Sequence, residues 1–166
     1  MKICKLILVL VLVLYPLGAF AQNIDPDGSG LHYAWGENVG WINLSPSSGL
    51  GVDVTDASVF GFAWGENIGW INLAPSGAGV MNDGQGNLSG YAWGENVGWI
   101  NFAPAGGGVT IDPDSGVFSG YAWGENVGWI DFAPAGGGVT TSWGVTPYRY
   151  DDSSDWFSCF IRTMTP

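Results

Sequence analysis

A fourteen-residue motif, Tyr33-Ala-Trp-Gly-Glu-Asn-Val-Gly-Trp-Ile-Asn-Leu-Ser-Pro46, occurs four times with little change, at 33–46, 62–75, 91–104 and 121–134. Successive copies begin 29, 29 and 30 residues apart. A fixed period in this range defines a repeat architecture, in which each unit buries its apolar face against a neighbour. The chain is thereby constrained to fold as a series of like units. An enzyme gathers unlike groups in one cleft, whereas this chain makes the same groups four times. The repeat points to a scaffold or a multivalent binder.

Three strand signals recur in each unit. In the fourth they are Gly108-Val-Thr-Ile-Asp112, Val117-Phe-Ser-Gly-Tyr-Ala-Trp123 and Gly128-Trp-Ile-Asp-Phe132, which are β-branched and aromatic runs bounded by turn residues. Glycines interrupt every window long enough for a helix. Asp112-Pro-Asp-Ser-Gly116 has the chemistry of a type I turn. Asp25-Pro-Asp-Gly28, Thr55-Asp-Ala-Ser58 and Asn82-Asp-Gly-Gln-Gly86 occupy the same place in the earlier units.

A second turn lies inside the motif. Pairing Gly36 with Gly40 leaves the loop Glu37-Asn-Val39, with Asn38 as a residue that tolerates a left-handed conformation. That register sets Trp35 opposite Trp41, Tyr33 opposite Asn43 and Ala34 opposite Ile42. The expected fold is all-β: a tandem repeat over 22–140 with about three short strands per 29–30-residue unit, built from antiparallel hairpins. The alternative is a three-sided parallel β-solenoid, which would stack Glu37, Glu66, Glu95 and Glu125 about 4.8 Å apart. Neighbours in such a column repel by roughly 3–4 kcal/mol at an effective dielectric of 20, which favours hairpins. Residues 141–166 depart from the pattern and read as an atypical cap or tail. Val139-Thr-Thr141 resembles the first strand of a fifth unit and is expected to cap the last repeat.

The ends bear on location. Lys2 and Lys5 precede an apolar run, Leu6 to Leu14, and Ala19-Phe-Ala21 supplies a cleavage pattern, so residues 1–21 read as a secretory signal peptide. The expected location is extracellular or at the cell surface, with the periplasm as the alternative compartment. No later apolar run is long enough to span a membrane. Cleavage leaves Arg149 and Arg162 against fifteen acidic residues, taking the formal charge from −11 to −13. Nucleic acid, which needs Lys and Arg to neutralise its phosphates, is excluded as a partner. Cys159 would be the lone cysteine, so no intramolecular disulfide is available.

Catalysis has no visible machinery. His32 is the only histidine, no Cys pair accompanies it, and neither a Gly-x-Ser-x-Gly elbow nor a phosphate loop is present. Most of the ten tryptophans are expected to pack the core. The alternative exposes one Trp per unit, namely Trp35, Trp64, Trp93 and Trp123, as a platform for sugar rings. Asn43, Asn72, Asn101 and Asp131 would then hydrogen-bond hydroxyls, and four weak sites in a row would gain avidity. An exposed Trp row would also suit self-association. The Glu-Asn pairs read as turn residues that satisfy nearby backbone N–H groups. The sharper reading is calcium, held by Glu37, Glu66, Glu95 and Glu125 from neighbouring units. Asp25, Asp27, Asp112 and Asp114 offer a second calcium candidate, since alternate acidic residues before Gly resemble half of a calcium loop. No other cofactor is expected. The chain thus reads as an exported, non-enzymatic, structural or adhesive protein of the cell surface or extracellular matrix. A multivalent module for cell-wall or extracellular polysaccharide, stabilised by calcium, is the alternative.

Gly90 to Phe102 and Gly120 to Phe132 resemble Trp-rich repeats of the form Gly-Tyr-Ala-Trp-x-Glu-Asn-(Ile/Val)-Gly-Trp-Ile-x-Phe, found in secreted and surface proteins of environmental bacteria. The two earlier copies match but end in Leu44 and Leu73. The resemblance implies an exported repeat protein and no particular activity. Many relatives carry extra cysteines between units, and this chain has none there.

Overall fold

The computed structural model describes residues 23–48 and 50–145. Residues 1–21, expected to be a signal peptide, and Arg149, Cys159, Arg162 and the acidic run 151–155 lie outside the described residues. Each motif folds as one hairpin: β1 (His32–Gly36) with β2 (Gly40–Asn43), β5 (Phe62–Gly65) with β6 (Gly69–Asn72), β8 (Leu88–Gly94) with β9 (Gly98–Asn101), and β11 (Phe118–Gly124) with β12 (Gly128–Asp131). The register is the expected one, with Tyr33 opposite Asn43, Ala34 opposite Ile42, Trp35 opposite Trp41 and Gly36 opposite Gly40.

The turn differs in one respect from the sequence expectation. The N–H of Val39 donates to the Gly36 carbonyl at 3.2 Å, closing a tight turn over Glu37 and Asn38. The left-handed residue is the following one, Gly40, with φ 78°. Its counterparts Gly69, Gly98 and Gly128 have φ of 76°, 80° and 73°. Among the described residues only Asp25 takes a positive φ without being glycine, so Asn38 is not left-handed. A type I turn followed by a left-handed glycine suits the right-handed twist of the strands it joins.

Neighbouring hairpins pair in turn, β2 with β5, β6 with β8, β9 with β11, and β12 back onto β1. Eight strands therefore close into a barrel. Every ladder is antiparallel, which rules out the parallel solenoid. Tyr33 lies level with Asn43, and Asn43 with Trp64, the counterpart of Trp35. The register thus advances two residues per hairpin and eight over the circuit of four. An eight-stranded barrel with that stagger has an interior just wide enough for side chains to fill. Small and branched residues fill it: Ala34, Ala63, Ala92 and Ala122 alternate with Ile42, Ile71, Ile100 and Ile130, all buried. Val39, Ile68, Val97 and Val127 are buried at the turns, and Leu44, Leu73, Phe102 and Phe132 just beyond the returning strands. Burying each isoleucine contributes roughly 1.5–3 kcal/mol.

A second tier continues the barrel. It uses β3 (Asp53–Val54), β4 (Ser58–Phe60), β7 (Val80–Asn82), β10 (Gly108–Ile111) and β13 (Gly138–Val139) with the first halves of β8 and β11. β8 and β11 pass through both tiers because each carries a glycine at the junction. Gly90 and Gly120 have φ 83°, and a Cβ there would overlap the carbonyl oxygens of Gly79 and Gly108.

Among the described residues no first strand precedes β1, and the segment after the last motif supplies one. β13 pairs with β1, His32 opposite Val139, and Ile24 bridges Thr141. The residues expected to cap the last repeat therefore complete the first, while Thr140 also bridges Val117 of the last. Between Ile24 and Val54 the side chain of Asn23 substitutes for a peptide group. Its Nδ2 donates to the Val54 carbonyl at 2.7 Å and its Oδ1 accepts from the Val54 N–H at 2.9 Å. Thr141 and Trp143 are buried, so the fold extends into the segment read as tail.

Candidate functional site

Strand alternation places Ala34, Gly36 and Ile42 inside the barrel and Tyr33, Trp35, Trp41 and Asn43 outside. The same holds in all four hairpins. The motif tryptophans are therefore the barrel's outer wall, which corrects the expectation that most of them fill the core. Six of the eight (Trp35, Trp41, Trp64, Trp93, Trp99 and Trp123) are between 36% and 48% exposed, and Trp70 and Trp129 somewhat less. Among the described residues Trp143 is the buried exception, with Nε1 donating to Asp56 Oδ1 at 2.9 Å.

The outer rings form a repeated cluster. Trp35 and Trp41 meet edge to face with centroids 4.9 Å apart, and the other three pairs lie at 4.8–4.9 Å. Tyr33, Phe62, Tyr91 and Tyr121 each set a further ring 6.2–6.3 Å from the second Trp of the pair. Such contacts hold the rings in place at roughly 0.5–1.5 kcal/mol each. The second tryptophans and these leading aromatics belong to the same wall, although the sequence reading chose only the first Trp of each unit. The signal was available, because residues 33, 35, 41 and 43 share one face of the hairpin.

Pairing between hairpins brings the chosen residues together across units. Trp64 faces Asn43, Trp93 faces Asn72, Trp123 faces Asn101 and Trp35 faces Asp131. The acceptor oxygens of the polar four are already engaged: Oδ1 of Asn43, Asn72, Asn101 and Asp131 accepts the N–H two residues on, at 2.8–2.9 Å. Aspartate replaces asparagine at 131 without loss because only an acceptor is needed there. In the three asparagines Nδ2 makes no hydrogen bond among the described residues.

Open grooves run between hairpins. That between β9 and β11 holds ≈740 Å³ and is lined by Tyr91, Trp93, Trp99, Asn101, Trp123 and Glu125 among others. The corresponding space between the second and third hairpins, ≈330 Å³, is bounded by Leu50, Phe62, Trp70 and Glu95. The four glutamates are exposed at the barrel's turn end. Their neighbours Asn38, Asn67, Asn96 and Asn126 do something the sequence did not suggest. Each donates Nδ2 to a carbonyl in the turn of the preceding hairpin, those of Val127, Val39, Ile68 and Val97, at 3.0–3.3 Å. The asparagines stitch the four turns into a ring, and do not accept from local N–H groups.

No family model matches the chain, and neither does any curated protein or solved structure.

Among the described residues no three His, Cys, Asp or Glu side chains converge on a point that would hold a metal ion. The second calcium candidate resolves into separate turns. Asp112 accepts from the N–H groups of Asp114 and Ser115 at 2.9 and 2.8 Å. Asp27 accepts from Ser29 N at 3.3 Å, and Asp25 binds Ser29, Gly30 and, at 2.7 Å, Nδ1 of His32. Asp25 is covered by its own loop, its side chain 8% exposed, although it lies at the surface of the molecule. Desolvation pulls its carboxyl upward, but the hydrogen bonds of His32, Ser29 and Gly30 together hold it below the usual value. Asp83 is lowered by the Asn87 amide and then the Gln85 N–H, and Asp112 by the N–H of Ser115 and then its hydroxyl.

A folded-state value below the unfolded one gives stability that is present above the unfolded value, near 3.8 for all three, and lost as pH falls through the lower folded value. The melting temperature should be level from pH 7 to about 5 and fall below about pH 4. A D25N/D83N/D112N variant should melt lower at pH 6 and show a shallower acid slope, read by fluorimetry across the pH series.

Proposed function

We propose that this chain is an exported, non-enzymatic binding protein that holds polymeric carbohydrate through the aromatic grooves of its outer wall, serving adhesion or cohesion at a cell surface or in an extracellular matrix. The observation that carries this reading is the outward turn of the Trp pair in all four hairpins. A protein whose tryptophans served only its own packing would bury them. Large apolar rings left in contact with water, held in fixed geometry and bordered by amide groups, are the chemistry that stacks on sugar C–H faces.

The sites lie around a ring, not in a row. Grooves facing different directions suit the bridging of separate polymer chains, so the adhesive and carbohydrate-binding readings merge into one. Retention of residues 22–166 on insoluble polysaccharides and cell-wall preparations tests this, with calcium or EDTA present. Replacing Trp35, Trp64, Trp93 and Trp123 by Ala one after another should lower apparent affinity about 2- to 10-fold per site, the range of one aromatic contact. Circular dichroism confirms that each variant is folded. A folded parent protein that no glycan retains would end this reading and leave self-association as the use of the wall.

A further inference from the structure

The charge around the grooves narrows the ligand. The described residues contain twelve carboxylates and not one lysine or arginine. Every hairpin contributes a Glu at the same place in the sequence, and two of the grooves show where it points. Glu125 lines the groove with Trp93 and Trp99 of the preceding hairpin, Glu95 lines the next with Phe62 and Trp70, and a carboxylate oxygen of Glu37 lies 3.6 Å from where a Cβ on Gly128 would be. Glu95 and Glu125 thus overhang the aromatic wall of the preceding hairpin, and Glu37 sits against the turn of the hairpin before it. The fold does not require it, since the neighbouring Asn makes the bond that links the turns.

We propose that the grooves select sugars bearing a free amine, such as polymers of hexosamine that are wholly or partly unacetylated, the ammonium meeting the Glu while the ring stacks on Trp. This rests on the carbohydrate reading above and names its substrate class. Uronates, sulfated glycans and phosphate-bearing polymers would meet carboxylates with no lysine or arginine among the described residues to balance them. A cationic peptide satisfies the same charge. However, a peptide groove gains much of its hold from main-chain pairing to a free strand edge, and the closed barrel offers none here. A ring of aromatic faces with a carboxylate beside it recognises a flat sugar ring and its substituent without using a backbone.

Isothermal titration with soluble hexamers tests the proposal. The glucosamine hexamer should bind at least 5-fold more tightly than the N-acetylglucosamine hexamer at low salt, with the advantage falling below about 2-fold in 0.5 M NaCl as screening shortens to a few ångströms. The E37Q/E66Q/E95Q/E125Q variant, and E125Q alone in proportion, should lose affinity for the glucosamine hexamer with no change in melting temperature. Equal binding of the two hexamers would overturn the amine inference and leave the carbohydrate reading standing. Binding of hexalysine as tight as that of the glucosamine hexamer would also overturn it, by showing that charge alone is read. Binding of neither hexamer, nor of any insoluble glycan, would overturn both.

Discussion

A chain ending at Gly138 should fail to fold as a monomer, whereas one ending at Val145 should melt cooperatively. The seven residues between those ends carry Val139, Thr141 and Trp143 into the core. Their backbone makes four hydrogen bonds to distant segments: Thr140 O accepts from Asp25, and Thr140, Thr141 and Ser142 donate to Leu31, Gly116 and Asn23, all at 2.8–2.9 Å. Losing a buried Trp costs about 3–5 kcal/mol and a buried Val about 1.5–3. The hydrogen bonds add about 1 kcal/mol each. The sum is on the order of 10 kcal/mol, comparable with the ~5–15 that holds a domain of this size. Circular dichroism and gel filtration decide the matter, and adding the peptide 139–145 in trans should restore part of the structure. A cooperative, monomeric Gly138 chain would show that β13 decorates the barrel and does not complete it.

The Glu-Asn pairs of the turns should divide sharply under mutation. Each asparagine links its turn to the one before, and leaving a carbonyl without its donor costs about 1 kcal/mol. Replacing Asn67 by Ala should lower the melting temperature by about 2–6 °C, and replacing Asn38, Asn67, Asn96 and Asn126 together by about 10–20 °C, because the four bonds close one circuit. Replacing all four glutamates by Gln should shift it by no more than about 2 °C, since their exposed carboxylates form no hydrogen bond among the described residues. Differential scanning calorimetry reads both. Equal losses in the two sets would mean that the glutamates hold the turns and that the ring of amides is incidental.

Local chemistry in the sequence reached as far as the hairpin and stopped there. Gly36 and Gly40, two tryptophans and a three-residue loop were enough to place every pair from Tyr33–Asn43 inward. The division of each unit into three strands followed from its turn residues. Closure was hidden because it depends on the step between hairpins, such as Asn43 beside Trp64, and nothing in either residue announces that pairing. One clue did exist: no first-strand signal precedes the first motif in 23–32, and a surplus one, Val139-Thr-Thr141, follows the last. The Trp wall was misjudged for a related reason. Hydrophobicity alone sends Trp inward, but a narrow barrel has room for Ala and Ile, and the bulkier rings are displaced to the outside. The role of Asn38 was missed because its partner, the Val127 carbonyl, lies 89 positions away.

Open repeat arrays lengthen or shorten by whole units as genes duplicate, since each new copy only needs a neighbour on one side. Here copy number and side-chain size specify each other. A fifth hairpin would make a ten-stranded ring with a longer stagger and a wider bore, in which Ala34 and Ile42 and their counterparts could no longer touch across the axis. A three-hairpin ring would force the same residues to collide. Duplication of a single unit is therefore closed to this lineage unless the inward residues change in concert. The count of four is as much a property of its alanines as of its ancestry.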